Sequence, residues 1–205
     1  MVAKGHEVIF GVRDPDKPAV RELVSSLGSH CCAASVREAA EPADIVVLAV
    51  PWSAARDAIS AAGNLTGKIL IDVTNPIDFE HNRLAVGLDT SAAEQISAWA
   101  KGASVVKALN TVWYRLMAEP RLNSECAKAF IGGDDPEAKT TVARLIDDLG
   151  LDVCDTGPLY HARYLEPLAM LYVDMVRAQG REPHFAVVRC GGTVRSAKGE
   201  RQWRE

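Results

Sequence analysis

The chain is poor in the features that announce most chemistries. Its five cysteines, Cys31, Cys32, Cys126, Cys154 and Cys190, are odd in number and lack the paired spacing of a zinc site. They read as reduced and structural. A redox role for the adjacent Cys31–Cys32 pair is disfavoured, because the separated Cys-x-x-Cys arrangement is missing. The histidines, His6, His30, His81, His161 and His184, form no His-x-x-x-His pair, and no serine stands in a nucleophile elbow. Metal-dependent and hydrolytic chemistry are therefore disfavoured, with no metal ligands and no general acid or base nominated. No apolar run approaches the roughly 18 residues of a bilayer span, and the start lacks the basic-then-apolar pattern of a signal peptide, so a cytoplasmic location is expected. Neither sign of charge dominates: 23 Lys and Arg stand against 27 Asp and Glu, a net charge of -4 over 205 residues. Nothing there draws the chain toward nucleic acid or a membrane.

A glycine-rich phosphate turn is also absent. The opening, Lys4-Gly5-His6-Glu7-Val8-Ile9-Phe10-Gly11-Val12-Arg13, reads as though the first strand of a nucleotide-binding fold had already passed. In such folds the turn lies about 20 residues before the side chain that reads the adenosine ribose. Arg13 has the look of that reader, and counting back from it runs off the front. The expectation is a natural start roughly 20 residues upstream, with Met1 internal, an estimate from the same spacing. A missing first strand would sit at the centre of the sheet; its loss would split the sheet, leave two strand edges unpaired and weaken or abolish nucleotide binding.

What is present alternates. Residues 7–12 read as a strand, and a helical pattern containing Leu23, Val24 and Leu27 runs to Gly28. Ser35-Val36-Arg37-Glu38 and Ser91-Ala92-Ala93-Glu94 are capping boxes. Ala43–Val50 and Lys68–Val73 are apolar runs suited to strands buried on both faces, and Ser104–Ala108 continues the series. Further on come an apolar segment at Ala127–Ile131, a helix from Pro136 to Leu149, a strand at Leu151–Cys154 and a long helix over 162–178. The fold class is α/β, a doubly wound, mostly parallel sheet. Residues 1–110 form its main domain, 111–190 a smaller C-terminal lobe and 191–205 a disordered tail.

Three strand ends carry polar or turn residues: Val50-Pro51-Trp52, Asn75-Pro76 and Asn110-Thr111. Ligands of open α/β sheets bind along the carboxyl edge, so three such ends in succession outline a crevice rather than three unrelated turns. Arg13, after Val12, occupies the place where an acidic residue would accept hydrogen bonds from the free ribose of NAD. A guanidinium there pairs with a 2′-phosphate and favours NADP, the competing reading being a solvated loop arginine beside Asp14 and Asp16. Gly132-Gly133-Asp134-Asp135-Pro136 is no phosphate cradle: two carboxylates repel phosphate but suit a helix N-terminus.

With these residues in place the chain resembles the NADPH-dependent coenzyme F420 reductase family, the F420H2:NADP oxidoreductases. The likeness runs through Gly5-His6-Glu7-Val8 to Arg13-Asp14-Pro15, Val50-Pro51-Trp52, Asn75-Pro76 and Val106 to Thr111. It continues through Gly133 to Lys139 and Asp155-Thr156-Gly157-Pro158-Leu159 followed by Ala162-Arg163-Tyr164-Leu165-Glu166-Pro167-Leu168-Ala169. The resemblance implies a Rossmann-like fold and hydride transfer between NADPH and the deazaflavin of coenzyme F420 or a flavin-like acceptor. It puts Val12 and Arg13 at the 2′-phosphate and Val50, Pro51 and Trp52 along the cofactor groove. Asn75, Pro76, Asn110 and Thr111 fall beside the nicotinamide and acceptor, with the helix after Leu159 shaping the acceptor pocket or a homodimer contact. The alternatives are a related reductase using a flavin, an iron chelate or an imine, and a non-catalytic remnant without the pyrophosphate turn.

Overall fold

The computed structural model describes residues 1–122, 125–180 and residue 187. After a short 3-10 turn, the elements are β1 (Val8–Gly11), α1 (Pro18–Leu27), β2 (Cys31–Ala34), α2 (Val36–Ala40), β3 (Ile45–Leu48), α3 (Trp52–Ala62) and β4 (Ile69–Asp72). A small hairpin, β5 (Ile77–Asp78) and β6 (Arg83–Leu84), precedes α4 (Ala92–Trp99), β7 (Ser104–Ala108) and α5 (Tyr114–Ala118). The two-residue strands β8 (Arg121–Leu122) and β9 (Glu125–Cys126) lead to β10 (Lys128–Gly133), α6 (Pro136–Asp148), β11 (Asp152–Asp155) and α7 (Ala162–Gln179).

The main sheet has the order β11-β10-β7-β4-β3, parallel except where β10 runs against β7. β10 and β11 lie beyond residue 110 in the chain and yet continue this sheet. β1 and β2 form a separate parallel pair. The sheet is thus divided as the sequence predicts: among the described residues β1 and β3 each have a single strand partner. β3 is an apolar edge, with Val47 55% exposed.

Alternation along the inner strands supplies both faces of the core. Leu70 and Val105 point into a cluster with Ala55, Ile59 and Ala62 of α3 and Ile96 of α4. Their neighbours Ile71 and Val106 point the other way, to Ala138, Val142 and Ile146 of α6. Helix starts follow local chemistry. Ser35 and Glu38 complete a capping box on α2, and the Asp135 carboxylate accepts from the amides of Glu137 and Ala138 ahead of Pro136. At α4 the Ser91 hydroxyl accepts from the Glu94 amide, but the Glu94 carboxylate turns to the Arg163 guanidinium at 2.6 and 2.9 Å. Gly11 is required by close approach: a Cβ there would lie 3.2 Å from the Ala39 Cβ and 3.3 Å from the Val36 Cα, where α2 crosses β1.

Candidate functional site

The carboxyl ends of β4 and β7 are joined by an amide clasp. Asn75 Nδ2 donates to the Asn110 carbonyl at 2.9 Å, Asn110 Nδ2 donates to Asn75 Oδ1 at 3.0 Å, and Asn110 Nδ2 also reaches the Leu165 carbonyl of α7 at 3.1 Å. The turn that presents Asn110 is strained, because Leu109 adopts φ 59°, a left-handed conformation costly for a branched side chain. Around the clasp four buried polar atoms have no partner among the described residues: Thr74 Oγ1, Asn110 Oδ1, Thr111 Oγ1 and Trp113 Nε1. Buried polar groups are nearly always satisfied, so four orphans on adjoining strand-end loops point to a polar ligand. Two hydroxyls, an amide oxygen and an indole N–H suit a carboxamide and hydroxyl-bearing molecule such as the nicotinamide riboside end of NADPH.

Behind the clasp lies buried charge. Asp72 and Lys107 are 0% and Glu166 1% exposed. Lys107 Nζ contacts Asp72 Oδ2 and Glu166 Oε1, both at 2.9 Å, and donates to the Thr74 carbonyl at 2.6 Å. Glu166 also accepts from the amides of Ala92 and Ala93 at the start of α4, at 2.9 and 3.2 Å. Burial pushes the Glu166 carboxyl upward, while Lys107 and the Ala92 amide pull it back. One lysine therefore ties β4, β7, α4 and α7 together directly beneath the asparagines.

Beside this edge opens an apolar cleft of about 500 Å³ lined by Phe79, Trp113, Val173, Val176 and Arg177. The Arg177 guanidinium is held at its rim by the Phe79 carbonyl at 3.3 Å and Asn82 Oδ1 at 2.8 Å. Trp113 belongs to both regions: its ring lines the cleft and its Nε1 is one of the orphans. An apolar slot with an aromatic wall and a cationic rim accepts a planar ring bearing an anionic substituent.

Of the residues nominated from sequence, Asn75, Pro76, Asn110 and Thr111 lie together here, Pro76 fully buried. Val50, Pro51 and Trp52 follow β3, the neighbour of β4; Pro51 caps α3 and the Trp52 ring stacks on Trp99 at 5.4 Å, packed against the core. Val12 and Arg13 follow β1 in the separate two-stranded unit, Val12 N–H donating to the Ala34 carbonyl and Arg13 exposed. The buried trio and the cleft were not nominated. Their sequence signal is a charge inside an apolar strand, as in Ile69-Leu70-Ile71-Asp72 and Val105-Val106-Lys107-Ala108. Among the described residues there is no group of three metal ligands, and no helix is long and apolar enough to cross a membrane.

Comparison with known proteins places the chain in a family. A family described as NADP oxidoreductase, coenzyme F420-dependent, matches residues 1–76. A crystal structure of a candidate F420-dependent NADP-reductase from Arthrobacter sp. FB24 shares 34% identity and a TM-score of 0.78, with 86% of each chain covered. The metalloreductase STEAP3 of Rattus norvegicus is 32% identical over 174 residues, 83% of this chain and 33% of the relative, so the chain spans about a third of that protein's length. A reductive aminase from Aspergillus terreus, solved with NADPH and ethyl levulinate, shares the fold at a TM-score of 0.62 and 17% identity, covering 87% of this chain and 56% of its own. The chain belongs to the family of coenzyme F420-dependent NADP oxidoreductases.

Proposed function

We propose that the chain binds NADPH along the carboxyl edge of its sheet and passes hydride to a planar acceptor, coenzyme F420 or a flavin-like ring, seated in the cleft beside Trp113. The observation that carries this reading is the group of four orphaned polar atoms, one of them on Trp113 of the apolar cleft. When bound, the dihydronicotinamide supplies the hydride, so the protein needs no acid or base at the reacting carbon. Thr74, Asn110 and Thr111 supply the polar contacts that fix the carboxamide and ribose, and the Asn75–Asn110 clasp keeps those contacts from drifting. Trp113, Phe79, Val173 and Val176 exclude water and hold the acceptor ring, with Arg177 at its anionic substituent. Arg13 holds the 2′-phosphate, Val12 and Val50-Pro51-Trp52 border the groove, and the exposed Tyr164 and Leu171 of α7 supply a homodimer contact.

A second reading, a fold kept without turnover, draws on the break between β1 and β3 and on the lack of a glycine-rich turn among the described residues. Titration of the protein with NADPH by calorimetry, followed by NADPH oxidation with purified F420, separates the two. Binding with turnover supports the reductase; a folded protein with neither supports the second reading.

A further inference from the structure

The buried trio beneath the asparagines has a charge count that hydride transfer can use. Lys107 Nζ has three acceptors, Asp72 Oδ2, Glu166 Oε1 and the Thr74 carbonyl, one for each ammonium proton. Asp72 Oδ1 accepts the Thr74 amide at 2.8 Å, and Glu166 accepts from the amides of Ala92 and Ala93. Each of these contacts to the two carboxylates comes from a donor, the arrangement of ionised groups. With both carboxyls ionised, which these donors favour and the burial of Glu166 opposes, two carboxylates against one ammonium leave one net negative charge on groups that are 0–1% exposed. The positive end of α4 lies on the Glu166 side, so the uncompensated charge is weighted toward Asp72. Thr74, which contacts both Asp72 and Lys107, is followed directly by Asn75, and Leu165, which holds Asn110, is followed directly by Glu166.

We propose that Asp72, Lys107 and Glu166 act as an anionic floor to the nicotinamide subsite, favouring the cationic oxidised ring over the neutral reduced ring and so biasing the site toward hydride donation. The inference rests on the NADPH reading above. In the step concerned, the C4–H bond of the dihydronicotinamide breaks and both its electrons leave with the hydrogen. A C–H bond forms at C5 of an oxidised deazaflavin, or an N–H bond at N5 of an oxidised flavin, and the reduced acceptor takes a proton from water. The nicotinamide is oxidised and keeps one positive charge, which a fixed negative charge nearby stabilises at no reorganisation cost.

Dissociation constants for NADP+ and NADPH, measured by calorimetry on the native protein, Glu166→Gln and Asp72→Asn, test this. Removing one negative charge raises the ratio of the NADP+ constant to the NADPH constant by about three- to tenfold, the size expected of a unit charge near 10 Å in a partly polar interior. A purely structural trio weakens both nucleotides alike, and an unchanged ratio in a folded variant overturns the proposal. Circular dichroism identifies folded variants, and either one suffices. The native protein gives a second readout without mutation: it holds NADP+ at least as tightly as NADPH, and a preference for NADPH above about tenfold overturns the proposal. Binding of neither nucleotide by the folded native protein overturns the nucleotide reading and this inference together, an outcome distinct from an unchanged ratio.

Discussion

Asn75 and Asn110 hold each other across the ends of two adjacent parallel strands, each side-chain amide donating to an oxygen of the other residue, at 2.9 and 3.0 Å. Asn110 has an amide oxygen left over, buried and without a partner among the described residues. Replacing Asn110 with Ala removes that oxygen and the link to Leu165. The expected outcome is a loss of about ten- to hundredfold in kcat/KM for NADPH oxidation, the scale of one to two buried hydrogen bonds. Asn75→Ala leaves the Asn110 oxygen in place but frees its side chain, and falls less. Steady-state kinetics on the two variants check the order.

Arg13, proposed above to read the 2′-phosphate, has no part in holding the fold. It is exposed after β1, so Arg13→Ala should melt with the native protein. NADPH affinity is expected to fall by about ten- to hundredfold while NADH affinity stays put, because the lost charge-assisted bonds go only to the 2′-phosphate. Calorimetric titration with both nucleotides measures this. Equal effects on the two would remove Arg13 from the phosphate site.

Trp113 lines the apolar cleft and carries one of the orphaned polar atoms at the carboxyl edge of the sheet. Trp113→Leu keeps an apolar surface and loses the ring face and the N–H. The acceptor KM should rise by about tenfold, the value of roughly one aromatic contact with its buried area, and rise more than the NADPH KM. Arg177→Gln should act on acceptors that carry an anionic substituent and spare neutral flavins. A panel of acceptors in the NADPH oxidation assay resolves both effects.

Acid should loosen the join between α4 and α7. The Arg163 guanidinium, bound to both Glu94 oxygens, holds the Glu94 carboxyl below its ordinary 4.5 despite partial burial. A carboxyl depressed in the folded state contributes stability that is full above its unfolded value and is lost as pH falls through its folded value. The melting temperature should therefore hold from neutrality to about pH 5 and decline below it. Glu94→Gln should lower stability at neutral pH by about 1 kcal/mol and make the decline shallower. Thermal melts across this range decide it.

Much of the architecture is legible in the residues. The run Ile69–Ile71 is apolar on both faces because helices cover both, and Ser35 and Asp135 mark the starts of α2 and α6. β2 is not legible: Cys31-Cys32-Ala33-Ala34 has little strand preference of its own and is extended because β1 offers it a parallel ladder. The antiparallel run of β10 against β7 is set by how the chain returns after α5, which no local pattern encodes. The Asn75 and Asn110 ends could be picked out by residue type. The apolar cleft could not, because Phe79, Trp113 and Val176 meet only through long-range packing.

The unpaired side of β3 has a consequence for handling the protein. An edge strand normally defends itself with lysine, proline or a bulge, whereas this one presents Val47 and an open row of peptide groups. Among the described residues this edge can pair with a second copy, so association that grows with concentration is the outcome to look for by light scattering.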